Sequence, residues 1–231
     1  MRKVVLQFWV SLDGYSCDPG TELYRIMEEI SDDEHEKYFV ARLRQAGTHI
    51  MGRVTYQEMA EFWPQSGHPA AAPMSGIPKI VFSKTLQSVV WPESRIASGD
   101  TAHEIAGLKQ DPGGEIIAYG GTRFARSLIR LGVVDEYRLT VLPVAIGKGA
   151  PLFASLARPV ILRLVTSTAF PSGILELVYT PADRQDPGSE HPGIHDQPST
   201  VTRAPALPMP WPRLWIQPPG CSCAGAGPPR N

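Results

Sequence analysis

Cysteine is scarce in this chain, with only Cys17, Cys221 and Cys223 among 231 residues. So few cannot staple a domain of this size, which excludes a disulfide-framed scaffold and fits a reducing compartment. Long apolar runs are missing as well. The opening MRKVVLQFWVSLDGYSC is interrupted by Gln7, runs into Asp13 and shows no small-residue cleavage pattern, so it reads as a buried strand rather than a leader. Nothing approaches the ~18 apolar residues of a membrane span. Charge of one sign is not in excess either: 22 Lys and Arg against 23 Asp and Glu leave a net charge of -1. No global basic field points to nucleic acid or to an anionic membrane. The expectation is a cytoplasmic protein whose partner is a small molecule.

Several signatures of known chemistry are absent too. No G-x-G-x-x-G follows a strand, no G-x-x-x-x-G-K-[ST] is present, and no G-x-S-x-G elbow occurs. His35-Glu36 starts like H-E-x-x-H, but Phe39 stands where the second histidine belongs. His191, His195, Cys221 and Cys223 lie in a stretch that cannot preorganise ligands, so no metal site is expected.

What is present divides the chain in two. Of its 23 prolines, 12 fall in 181–231, where large aliphatics are few and no strand or helix period is visible. Such a segment cannot bury enough apolar area to offset its ordering entropy. Residues 183–231 are therefore read as a disordered tail (a linker, a partner-binding arm or a non-native extension) and 1–182 as the folded domain. Within that domain, strands are expected at Val4–Val10, 48–52, 79–83, 116–119, 136–144, 160–167 and 174–180. Helices are expected from Ser31 to a stop at Gly47, over 53–63 up to Pro64, over 101–110, and from the Gly120-Gly121 step to Gly132. Strand–helix alternation with an antiparallel finish through PSG argues an α/β fold with a mixed sheet.

Three strand-to-helix junctions carry the functional signal. In IIAYGGTRF, Gly120 and Gly121 allow close backbone approach, and the helix start offers free N–H groups to an anion; a turn needing positive φ explains the glycines equally well. In IMGRVTYQEM, Gly52 precedes a first turn bearing Arg53 and Thr55, and the arginine's planar fork suits a phosphate, unless it is an ordinary solvent-facing side chain. In KIVFSKTL, Ser83 and Lys84 are phosphate-compatible or form a plain turn. Small and cationic residues at three strand ends suit one extended, multiply phosphorylated ligand, because ligands of open α/β sheets sit at the carboxyl ends of strands.

With the early SLDGY and the long IIAYGGTRFARSLIRLGVVDEYRLTVLPVAIGKGAPLF, these motifs resemble the dihydrofolate reductase-like superfamily. The likeness is greatest to stand-alone relatives of the RibD C-terminal reductase domain, and it spans about residues 2–180. The resemblance implies a three-layer α/β/α sandwich, a homodimer, bound NADPH and reduction of a pterin-like or aminopyrimidine substrate. It places Gly52, Arg53 and Thr55 on the cofactor, with Arg53 towards the adenosine 2′-phosphate. Ser83 and Lys84 hold the same end, and Gly120, Gly121, Thr122, Arg123 and Phe124 form the pyrophosphate loop, whose Gly-Gly peptide is often cis in the family. The substrate half departs from the pattern, since Tyr119 stands where the riboflavin branch usually has Glu. Asp13 and Glu36 are the candidate proton-donating carboxylates, and Trp9, Asp13, Tyr15 and Tyr119 the candidate substrate contacts. A true dihydrofolate reductase and a non-catalytic nucleotide-binding protein are the alternatives.

Overall fold

The computed structural model describes residues 1–30 and 32–182. In chain order its elements are β1 (Val4–Ser11), α1 (Glu22–Glu29), α2 (Asp33–Leu43), β2 (Ala46–Gly52), α3 (Arg53–Phe62), α4 (Ala71–Gly76), β3 (Lys79–Phe82), β4 (Ser94–Ile96), α5 (Thr101–Gln110), β5 (Glu115–Tyr119), α6 (Thr122–Leu131), β6 (Glu136–Leu142), β7 (Leu162–Ala169) and β8 (Leu175–Pro181). The strands join in one mixed sheet of order β4-β3-β2-β5-β1-β6-β8-β7. From β4 to β6 neighbours are parallel; β8 runs antiparallel to both β6 and β7, giving the expected C-terminal hairpin.

Helices cover both faces, which is why β1 reads as a nearly unbroken apolar run. Val4, Leu6, Phe8 and Val10 point with Ile50, Ile80, Ile116 and Ala118 towards Ile105 and Leu108 of α5 and Ala125, Leu128 and Ile129 of α6. The opposite face presents Met51, Val81, Ile117 and Tyr119 to Val40 and Leu43 of α2 and Tyr56 of α3. This second face also buries polar groups along β1, β6 and β8: Gln7, Arg138, Thr140 and Glu176. Arg138 is held by ion pairs of 2.7 Å to Glu115 and to Glu136.

Several boundaries differ from expectation for local reasons. The cap of α2 is Asp32, whose side chain accepts from the amides of Glu34 and His35 at 3.0 and 2.9 Å; Ser31 lies outside the described residues. Gly47 does not stop that helix. It belongs to β2, where a Cβ would stand 2.5 Å from the Gly114 amide nitrogen, so the glycine permits two strand starts to approach. The short elements α1, α4 and β4 add to the expected set. The expected tail, with its histidines and cysteines, falls outside the described residues.

Candidate active site

The parallel register brings the three expected junctions to one edge. Met51 lies beside Tyr119 on one side and Val81 on the other, and Gly52 lies beside Phe82. Arg53, Thr55, Ser83, Lys84 and the 120–124 segment therefore gather along the tips of β3, β2 and β5.

The glycine step has two causes at once. Gly120 and Gly121 adopt φ of 43° and 66°, in the left-handed region where a side chain is strained. A Cβ on Gly120 would also stand 2.8 Å from Thr55 Cγ2, and one on Gly121 3.2 Å from Thr55 Oγ1. Buried Thr55, in the first turn of α3, thus packs directly against the entry to α6, and two helix N-termini lie side by side. No cis peptide occurs among the described residues, so the family's frequent cis Gly-Gly bond is not present here. The α3 cap, Gly52, offers no side-chain acceptor to the helix amides, which leaves them available to an anion. Phe124 packs on Phe82 with ring centroids 5.2 Å apart, tying α6 to the tip of β3.

Other members of this edge have partners already. Exposed Arg53 donates to Gln57 Oε1 at 2.9 Å. Ser83 Oγ accepts from the Thr85 and Leu86 amides at 3.1 and 2.9 Å, shaping the turn that carries exposed Lys84. Arg123 is exposed. Asp18 joins this edge without any motif to announce it. Its carboxylate accepts from the Thr122 amide at 3.1 Å and from the Thr122 hydroxyl, so a side chain sits at the N-terminus of α6. Asp18 also acts on Glu58 of α3, whose carboxyl is raised above its ordinary range, first by burial and then by that neighbouring charge.

On the substrate side, β5 ends at Tyr119 opposite Gln7, while β1 continues to Ser11 beside β6. The chain after β1 folds back upon it, with Cys17 N donating to Trp9 O at 3.0 Å and Ser11 N to Tyr15 O at 2.9 Å. Asp13 fastens this loop. It accepts from Ser11 Oγ at 2.5 Å and from the Ile146 and Gly147 amides at 3.2 and 2.7 Å, and the Ser11 hydroxyl foremost holds its carboxyl below the usual range. Such a group is kept ionised and is poorly suited to donate a proton. Tyr15 packs against Gly149 of the same loop pair. Tyr119 is buried in the core, its ring edge-on to His49 with centroids 4.9 Å apart.

Glu36 turns outward, half-exposed, and pairs with His68 at 3.6 Å. Its neighbour His35 points inward instead. His35 Nε2 lies 3.1 Å from Glu176 Oε1, and its ring meets Trp9 and Phe170 edge-on at 5.2 and 5.0 Å. Thr140 donates to the same Glu176 oxygen, and Gln7 Nε2 lies 3.5 Å from Thr140 Oγ1. Of the expected substrate contacts, only Trp9 touches this cluster. The missed residues had a signal: His35 stands four residues before Phe39 on the apolar stripe of α2. Glu176 falls in the same strand phase as buried Ile174 and Val178.

The architecture and motifs have relatives. Residues 2–175 match the family described as the RibD C-terminal domain. The uncharacterised protein YyaP of Bacillus subtilis strain 168 is 29% identical over 184 residues, covering 77% of this chain and 94% of that protein. Among solved structures, a Shewanella sp. PV-4 protein provisionally assigned to riboflavin biosynthesis superposes with a TM-score of 0.64 at 22% identity, covering 79% of this chain and all of that one. Dihydrofolate reductase from Enterococcus faecalis, complexed with NADP(H), gives a TM-score of 0.53 at 14% identity over 78% of this chain and 97% of that one. At these identities the structures share the fold.

Proposed function

The chain belongs to the RibD C-terminal domain family, and from that premise we propose that it is an NADPH-dependent reductase acting on a small planar heterocycle of pterin or aminopyrimidine type. The observation that carries this reading is the pairing of two helix N-termini, α3 and α6, at neighbouring strand tips where glycines leave no Cβ in the way. In this reading the pyrophosphate lies over Gly120 and Gly121, against Thr55, Thr122 and Phe124, and the adenosine end meets Arg53, Ser83 and Lys84 beside exposed Arg123. Arg53 exchanges Gln57 for the 2′-phosphate, a charge-assisted contact that NADH lacks. When bound, the cofactor supplies a hydride from its nicotinamide ring. Trp9 offers a flat apolar surface for the acceptor, and the Asp13 staple holds the loop beside it.

The test is a melting curve with each nucleotide. A ligand at 100 times its Kd stabilises the native state by about 2.7 kcal/mol, so NADPH is expected to raise Tm clearly and NADH less. No rise with either removes the reading. The Asp18 carboxylate at α6 favours one other reading, a protein that keeps the fold with its anion site closed; turnover of any pteridine, pyrimidine or quinone acceptor excludes it. The proposal includes a cytoplasmic homodimer, checked by light scattering, and a domain ending at residue 182, checked by deleting 184–231 without loss of NADPH affinity.

A further inference from the structure

The first turn of α3 holds a third inward or outward anchor besides Arg53 and Thr55. Tyr56 is buried with its ring in the core, and its hydroxyl accepts from the Val90 and Trp91 amides at 2.8 and 2.9 Å. Those amides belong to the segment between β3 and β4, which has neither helix nor strand and carries exposed Lys84. Ser83 Oγ shapes the start of that segment through the Thr85 and Leu86 amides. Among the described residues, the two bonds to Tyr56 are the only hydrogen bonds that join 84–91 to another element. Trp91 is fixed further by Lys79, whose Nζ lies 4.5 Å from the indole ring centroid and donates to Ser75 O and Ile77 O at 2.7 Å each. A phenylalanine at position 56 would bury the same ring, so packing alone does not call for the hydroxyl. Its loss would leave two amides without a partner. The register closes the circuit: Gly52 lies beside Phe82, so Arg53 and the Ser83-Lys84 pair continue from neighbouring strand ends. Tyr56, three residues past Arg53, ties the far end of the Lys84 segment back to the helix that carries Arg53.

We propose that Tyr56 is a positioning residue for cofactor choice: its hydroxyl fixes the 84–91 segment against α3, so that Lys84 and Arg53 close on one phosphate monoester, the 2′-phosphate of NADPH. This rests on the reductase reading above. The buried hydroxyl touches no ligand and acts through the segment that it holds. A segment tied at both ends loses little freedom when its lysine closes on a phosphate. Released at Val90 and Trp91, the same segment must be ordered at the moment of binding, and that entropy is lost from the affinity. NADH presents no group to either cation, so its affinity does not depend on where the segment lies. The hydroxyl therefore sets the preference between the two nucleotides rather than the grip on their shared pyrophosphate.

Titration of the full chain with NADPH and with NADH tests this through the ratio of the two dissociation constants. Tyr56→Phe is expected to lower the preference for NADPH about 10-fold, the worth of one to two net hydrogen bonds, with NADH affinity unchanged. Tyr137→Phe, the same truncation at a buried tyrosine of β6, should leave the ratio as it is. In a Lys84→Ala background, which already lacks the positioned cation, adding Tyr56→Phe should move the ratio no further. A merely structural hydroxyl would instead weaken both nucleotides alike in either background. Without nucleotide, trypsin should cut after Lys84 faster in Tyr56→Phe than in wild type while the melt stays cooperative. Should Tyr56→Phe fail to fold, Val90→Pro removes one of the two donors from an exposed position and is read in its place. An unmoved ratio, equal weakening of both nucleotides, an additive double variant or an unchanged cleavage rate overturns the proposal. A wild type that binds neither nucleotide removes the reductase reading and this proposal with it, whereas NADPH binding with an unmoved ratio removes this proposal alone.

Discussion

The tips of β3, β2 and β5 and the half-sheet of β1, β6 and β8 meet at the same edge, yet they are made of different material. The first is largely backbone, in which glycines at the strand tips admit the close approach of side chains such as Thr55. The second is a set of buried side chains contributed by residues far apart in the chain, His35, Thr140 and Glu176, each oriented by another. A backbone site tolerates variation in most side chains but little at a glycine held at positive φ against a neighbour, as Gly120 is. A side-chain cluster fails one hydrogen bond at a time. Changes at the two ends should therefore fail in different ways.

The sharpest break is expected at Gly120. Gly120→Val places a branched side chain at φ 43° and into Thr55, which should cost about 3 kcal/mol from strain and overpacking together. Gly52→Ala, at an ordinary φ of -80° with its nearest contact at 3.4 Å, should cost far less. Urea melts of the two variants separate a bare-backbone requirement from general crowding.

The next effect contrasts two buried histidines on one sheet face. His35 has Glu176; neither ring nitrogen of fully buried His49 has a partner among the described residues. Burial, with Lys79 adding to it, pushes His49 down to about 3 from its ordinary 6.5. Between those values the unfolded chain binds a proton that the native protein excludes. Stability should thus fall as pH drops through this window, by about 1.4 kcal/mol per unit. His49→Leu should flatten that part of the profile relative to wild type in denaturant melts between pH 7 and 5; an unchanged slope counts against it.

Smaller changes address the cofactor edge. Arg53→Ala should weaken NADPH by about 1.5 kcal/mol and leave NADH unaffected, and equal losses measured by titration contradict a 2′-phosphate role. Asp18→Asn removes a negative charge from the N-terminus of α6. NADPH should then bind more tightly by roughly 0.5–1 kcal/mol, because a phosphate no longer competes with a carboxylate for the same amides. Weaker binding would make Asp18 part of the site rather than an obstacle to it.

The two halves also differ in how legible they are from sequence. Gly52, Arg53, Gly120 and Gly121 sit at junctions where local patterning announces strand, turn and helix, and parallel pairing then brings those junctions together. The capped helix over 101–110 and the Gly132 stop are readable for the same local reason. Family resemblance directs attention to a carboxylate and so to Glu36, whereas the helical phase of Phe39 and Leu43 selects its neighbour His35. Asp18 and Glu176 depend on contacts across 104 and 141 residues, to Thr122 and His35. The strand period marks Glu176 as inward-facing, but no local period names its partner or singles out Asp18. The eight-residue helix α1 is too short for its periodicity to stand out.

A crystal structure with NADPH bound most directly tests the central claim, that neighbouring strand tips grip one dinucleotide along its phosphates. The account predicts the pyrophosphate over Gly120 and Gly121 between the starts of α3 and α6, with the 2′-phosphate on Arg53 and the nicotinamide ring towards Trp9. A dinucleotide bound away from this edge, or one whose phosphates touch neither helix N-terminus, would contradict it.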